Sequence, residues 1–158
     1  MSDLPERKHP AHQVVFEQGN RSSIIFVTVC AAKRKPLLAC EEIHQRLIQA
    51  WIKADHWFVG RYVIMPDHLH LFCAPRIRDH LSVQRWVTFW KSDVSKKWPR
   101  KEEHPIWQVD IWDRQLRSGE SYSEKWAYTC RNPVRHGLVD KAEDWPFQGE
   151  LNPLSWHD

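Results

Sequence analysis

"WFVGRYVIMPDHLHLFCA", residues 57–74, decides the fold. It holds two apolar, aromatic-rich runs, 57–65 and 68–74, separated by little more than Met65-Pro66-Asp67, and such a pair closes most simply as an antiparallel hairpin. Side chains alternate along a strand, so Leu69, Leu71 and Cys73 point one way and His68, His70 and Phe72 the other. If the leucine face packs on the core, both histidines project from the other side, although H-x-H alone is a weak signal that chance often produces. The question is what lies on each face.

Working outward, "SSIIFVTVCAA" (22–32) is rich in β-branched residues and predicts a strand ended by the basic turn "KRKP". In "CEEIHQRLIQAWIKADHW" (40–57), Ile43, Leu47 and Trp51, flanked by Ile48 and Ile52, form the stripe of an amphipathic helix. A second helix is expected over 81–98, where Val83, Trp86, Val87, Trp90 and Val94 align and Lys91, Lys96 and Lys97 lie off the stripe. "IWQVDIWDRQL" (106–116) predicts a fourth strand. Ser121 and Glu124, at capping-box spacing, open a third helix that Pro133 interrupts and Gly137 closes.

The order β-α-β-β-α-β plus a helix predicts an α+β fold, a ferredoxin-like sandwich whose two crossover helices cover one face of an antiparallel sheet. The other face is expected to stay open, with both histidines projecting from it. Residues 1–20, with two prolines and mixed polar residues, read as a flexible basic arm, 21–147 as the domain and 148–158 as a tail.

The 158 residues, 42% of them hydrophobic and ten of them Trp, suffice for one well-filled core. Cys30, Cys40, Cys73 and Cys130 form no C-x-x-C pair, which speaks against a zinc knuckle or disulfide framework and for a reducing cytoplasm. No apolar run approaches the roughly 18 residues that span a bilayer, so no membrane association is expected. Net charge is only +3, but Arg76–Lys101 holds eight Lys/Arg against two Asp. Such a local excess suits a polyanion, nucleic acid first, though an ordinary solvated helix face would look the same.

Two imidazoles at i and i+2 on a strand sit about 7 Å apart at the backbone and can converge on one ion, leaving positions for substrate oxygens. Tyr128 and Asn132 fall on one helix face, displaced by about 40°. A tyrosine beside a phosphate-bound metal is a possible nucleophile, since the ion compensates for a phenol of unperturbed pKa near 10. The same residues admit plainer roles: a helical tyrosine packed in the core, and Asn132-Pro133 as the N-cap and N1 pair of a new turn. Tyr122, a rival nucleophile, lies about 240° around the helix from Tyr128.

"VIMPDHLHLFCAP" (63–75), "IWQVDIWDRQLRSGESYSEKWAY" (106–128), "RNPVRHGLV" (131–139) and "DWPF" (144–147) together resemble the REP-associated tyrosine transposases, relatives of the single-tyrosine HUH transposases. The resemblance runs from about Ser23 to Phe147 and keeps the order and spacing of four motifs. It implies His68 and His70 as ligands of Mg²⁺ or Mn²⁺, Tyr128 as the residue that attacks DNA, and Asn132 as the polar position that completes the metal site. Imidazoles alone would also suit Zn²⁺.

The implied reaction is cleavage and rejoining of single-stranded DNA beside REP-type hairpins through a 5′-phosphotyrosine. The implied DNA contacts are Arg7 and Lys8 in the arm, Arg85, Lys91, Lys96 and Lys97 on the second helix, and Arg135 and His136 beside the tyrosine. The segment "KSDVSKKW" departs from the family pattern through Asp93, which bears on DNA specificity. The alternatives are a domesticated hairpin-binding protein that no longer cleaves and a phosphodiesterase using the histidines with water. Monomer and homodimer are both open, because in some single-tyrosine relatives the nucleophile serves the partner's histidines.

Overall fold

The computed structural model describes residues 23–117 and 121–155, so Arg7 and Lys8 lie outside the described residues. Its elements are β1 (Ile25–Ala31), α1 (Glu41–Lys53), β2 (Trp57–Ile64), β3 (His68–Pro75), α2 (Val83–Lys96), β4 (Trp107–Gln115), α3 (Tyr122–Thr129), α4 (Asn132–Arg135) and β5 (Gln148–Glu150). The sheet runs β4-β1-β3-β2-β5, every neighbour antiparallel. The β-α-β-β-α-β sandwich is the expected one.

α1 and α2 cover one face. Val27 and Val29 of β1 and Leu69, Leu71 and Cys73 of β3 meet Ile43, Leu47 and Trp51 of α1 and Val83, Trp86, Val87, Trp90 and Val94 of α2. Trp51 and Trp90 pack edge to face at 5.9 Å. Burying each large apolar side chain contributes about 1.5–3 kcal/mol, which makes this layer the main stabiliser of the fold. Two of its indoles find carbonyls: the Trp86 indole donates to Ala54 O at 2.7 Å and the Trp57 indole to Leu81 O at 2.8 Å, whereas the Trp51 and Trp90 indole nitrogens are buried without a hydrogen-bond partner. Ile52, expected beside the stripe, is 67% exposed, and the small side chains of Ala50 and Ala54 pack there instead.

The expectation of an open second face is overturned. Tyr122 and Trp126 of α3 pack on Phe72 of β3, together with Ile24, Phe26, Leu116 and Leu154. Trp145 closes on Val63 and Met65 beside them. Phe72 is too apolar to face water, and the i, i+4 pair Tyr122/Trp126 supplies its cover.

Residues 148–150, assigned above to the tail, form β5 and pair with Arg61, Tyr62 and Val63 of β2. A Cβ on Gly149 would lie 2.8 Å from Tyr62 Oη, so this edge requires glycine. Among the described residues no helix is long and apolar enough to cross a membrane.

Candidate active site

Alternation places Thr28 and Cys30 of β1 on the same outer face as His68 and His70, and the register sets Thr28 opposite His70 and Cys30 opposite His68. Both imidazoles are buried, 2% and 1% exposed, with ring centroids 4.9 Å apart. Each has its Nδ1 occupied. His68 Nδ1 donates to Asp67 Oδ1 at 2.8 Å, and His70 Nδ1 shares a 2.8 Å hydrogen bond with Thr28 Oγ1. His68 Nε2 and His70 Nε2 are buried without a hydrogen-bond partner.

Buried polar atoms left unpaired cost about 1–3 kcal/mol each, so two neighbouring orphans of the same chemistry need a reason. A metal-ligating histidine characteristically has one nitrogen anchored by a carboxylate, hydroxyl or carbonyl and the other directed at the ion. The pair therefore fits a divalent cation. Among the described residues no third His, Cys, Asp or Glu joins them, which leaves the remaining positions to an amide or to substrate oxygens.

Electrostatics agree with ligand chemistry. Burial pushes His70 well below the ordinary histidine value, helped by His68 and by the charges of Lys125, Arg135 and His136, so the ring is neutral. For Asp67, burial alone would raise the carboxyl, but the hydrogen bond from His68 and the charge of Arg34 outweigh it and hold the group ionised, below the usual range.

α3 lies across this site. Ser121 caps it, its Oγ accepting from Glu124 N–H at 2.9 Å, as its spacing predicts. Phe26 stacks on His70 at 5.1 Å and 17°, and the Lys125 ammonium stands 5.0 Å from the Phe26 centroid. Tyr128 is 44% exposed while Tyr122 is 5% exposed, its hydroxyl accepting from Arg61 N–H at 2.8 Å. Burial lifts Tyr122 to about 12. Tyr122 is thus a core residue, and Tyr128 is the tyrosine that a substrate can reach.

Arg135, expected as a DNA contact, is a clamp. Its guanidinium sits 4.1 Å over the Tyr128 ring, donates to Tyr128 O at 2.8 Å through Nη1, and reaches Asn132 Oδ1 through Nη2. Asn132 is 1% exposed, and its Nδ2 has no partner. Arg131 takes the N-cap position, so Asn132 does not cap α4 in the manner Asn-Pro suggests. The Asn132 oxygen could reach a metal only by sharing with or leaving Arg135, and the fit to an ion therefore rests on the two imidazoles.

The second helix forms as expected, but its basic residues do not lie beside the histidines. Lys91 is 8% exposed, and its Nζ donates to Gln108 O at 2.7 Å and Val109 O at 3.4 Å, carbonyls at the start of β4. Unable to reach a phosphate, it is corrected to a structural residue. Arg85, Lys96 and Lys97 are exposed, but on α2, across the sheet from the histidines. Lys97 and Lys53 each approach Asp93 to 3.2 Å, which neutralises the charge that distinguishes "KSDVSKKW". Lys125 of α3 and Arg135 of α4 are the basic side chains whose charges act on His70, Arg34 stands beside Asp67, and His136 is exposed at the end of α4.

Thr28, Asp67, Phe26 and Lys125 were not singled out by the sequence reading. Two of them left a signal. Thr28 is the polar residue in "IFVTVC", and Asp67 directly precedes His68.

A ferredoxin-like sheet with paired imidazoles beneath a tyrosine-bearing helix defines the class. The chain superposes on a solved REP-associated tyrosine transposase bound to a REP hairpin with a TM-score of 0.66 and 26% identity, covering 87% of this chain and 82% of the other, which places it among the tyrosine transposases. No family model matches the chain. It is 31% identical over 142 residues to the REP-associated tyrosine transposase of Escherichia coli K12, covering 83% of this chain and 82% of that protein. A Haemophilus influenzae protein named for the same family is 26% identical over 112 residues, a match to 59% of this chain and 62% of the relative's length. The chain belongs to the REP-associated tyrosine transposases.

Proposed function

We propose that this chain cleaves and rejoins single-stranded DNA beside REP-type hairpins, with Tyr128 as nucleophile and His68 and His70 holding Mg²⁺ or Mn²⁺. The observation that carries the reading is the pair of buried, unpartnered Nε2 atoms whose Nδ1 atoms are anchored by Asp67 and Thr28. The hairpin is taken from the relative's structure, which holds one. Bound there, the ion supplies Lewis-acid polarisation of the scissile phosphate.

The chain's own residues do the rest. The Tyr128 hydroxyl oxygen forms a bond to phosphorus as the bond to the 3′ oxygen breaks. The 3′ oxygen leaves as a hydroxyl, taking up a proton, and the 5′ side stays on Tyr128 as a phosphodiester. Attack by another 3′-hydroxyl reverses the step, so rejoining needs no nucleotide cofactor. Arg135 holds the Tyr128 ring and main chain in place, while the charges of Lys125 and Arg135 favour a phosphate over this face. His136, exposed at the C-terminal end of α4, is the candidate acceptor for the tyrosine proton.

Labelled hairpin DNA with a single-stranded flank, incubated with protein and Mn²⁺ and run on a denaturing gel, should give a protein-linked band. Tyr128→Phe should remove it with the melting temperature little changed, since the residue is 44% exposed. Cleavage that persists in Tyr128→Phe would favour a hydrolytic phosphodiesterase, and binding without cleavage a domesticated hairpin-binding protein.

A further inference from the structure

We propose that Arg34 is a positioning residue for the His68 site, holding Asp67 so that His68 presents Nε2 to the metal. The proposal rests on the reading of His68 and His70 as ligands. It starts from the turn after β1, where Lys33 (φ 53°, ψ 24°) and Arg34 (φ 55°) occupy the left-handed region. Two consecutive non-glycine residues in that region are rare, and such strain persists only where the surroundings enforce it, most often at functional sites.

The surroundings do enforce it. The segment between β1 and α1 straps across the turn between β2 and β3: Ala31 N–H donates to Asp67 O and Leu38 N–H to Pro66 O, both at 2.9 Å. Ala32 N–H ties the same segment to Ile106 O at 2.8 Å. Within the strap, Arg34 Nη2 meets Asp67 Oδ2 at 2.8 Å, while Asp67 Oδ1 accepts from His68 Nδ1. One carboxylate is thus shared, one oxygen to each partner, and fixing its plane fixes the imidazole.

The two histidines are held differently. His70 leans on Thr28, a residue of the central sheet that is 2% exposed. His68 leans on a turn carboxylate 28% exposed, which depends in turn on an arginine 39% exposed. Partners of this kind affect metal affinity roughly tenfold to a hundredfold, so Arg34 is expected to matter without touching the ion.

The test is calorimetric titration of the full chain with Mn²⁺, free of DNA, on wild type, Arg34→Met, Arg34→Lys and His68→Ala. Arg34→Met should weaken Mn²⁺ roughly tenfold to a hundredfold, and Arg34→Lys should recover most of the loss. Hairpin affinity measured in EDTA should not change in either. Should Arg34→Met fail to fold by circular dichroism, Asp67→Asn, nearly isosteric, carries the same expectation. Wild-type Mn²⁺ affinity in Arg34→Met beside a weakened His68→Ala would overturn the role of Arg34 alone. Hairpin affinity that falls in EDTA would overturn it too, making Arg34 a phosphate contact. Wild-type affinity in His68→Ala would overturn the metal reading itself.

Discussion

The two faces of the sheet use the same strands to opposite ends. Toward α1 and α2, β1 and β3 send Val27, Val29, Leu69 and Leu71 into a layer closed by Trp51, Trp86 and Trp90. Toward α3, the alternate residues are Phe26, Thr28, Cys30, His68, His70 and Phe72, of which Phe26 and Phe72 pack against α3. The first face is stabilised by burial of large apolar side chains, with the Trp51 and Trp90 indole nitrogens buried and unpartnered within it. The second places polar side chains in the same strands, and His68 Nε2 and His70 Nε2 lie there buried, unpaired and side by side. On the proposed reading, stability and chemistry are carried on opposite sides of the same strands, and changes to either side should be separable.

The largest effect should come from the apolar face. Trp90, fully buried and in edge contact with Trp51, Trp86 and Trp107, is expected to lose about 3–5 kcal/mol as Trp90→Ala. Denaturant melts would show it, while adduct formation per folded molecule, measured in the cold, should stay near wild type. A loss of chemistry as large as the loss of stability would break the division.

On the other face the sign of the comparison reverses. Thr28→Val removes the partner of His70 Nδ1 at almost constant volume and should cost about 1–3 kcal/mol. Adduct yield should fall roughly tenfold or more, because the ring that presents Nε2 is no longer held. A yield unchanged at saturating Mn²⁺ would show that the hydroxyl anchors nothing of catalytic value.

The smallest effect sharpens the correction to Lys91. Burial lowers its ammonium to about 8, whereas the unfolded chain keeps that proton to about 10.4. At this site the unfolded state binds more protons between pH 8 and 10, so Lys91 contributes stability that rises with pH across that window. The buried thiols of Cys30 and Cys73, whose values are raised, act in the opposite direction, and Lys91→Met should remove the Lys91 contribution. Above about pH 10 the Lys91 contribution is complete, and Tyr62 and Tyr122, raised to about 12 by burial, lower stability further because they keep protons that the unfolded chain releases. A stability curve indifferent to Lys91→Met would return that lysine to the surface.

Much of this division is legible in the residues. β-branched alternation, two tryptophan-rich helical stripes and a capping box at Ser121 are local signals, and local signals survive without a structure. The histidines' face follows from alternation alone. The cover over that face does not, although Tyr122 and Trp126 at i, i+4 were visible, because which sheet a short helix lands on is a tertiary matter. β5 has three residues, too few for a period, and its pairing depends on the course of β2. Lys91 sits at the margin of its helix stripe, and only the carbonyls of β4, brought close by folding, turn it inward. For the same reason a count of charges along the chain pointed to α2, while the cations near His70 belong to α3 and α4.

The central claim is that His68, His70 and Tyr128 form one centre on the α3 side of the sheet. It is tested most directly by mapping the covalent product. After reaction with flanked hairpin DNA and Mn²⁺, nuclease and protease digestion followed by mass spectrometry should find a 5′-phosphonucleotide on Tyr128, and His70→Ala should remove it while the hairpin still binds. The same modification on Tyr122 or another residue, or an undiminished yield in His70→Ala, would contradict the account.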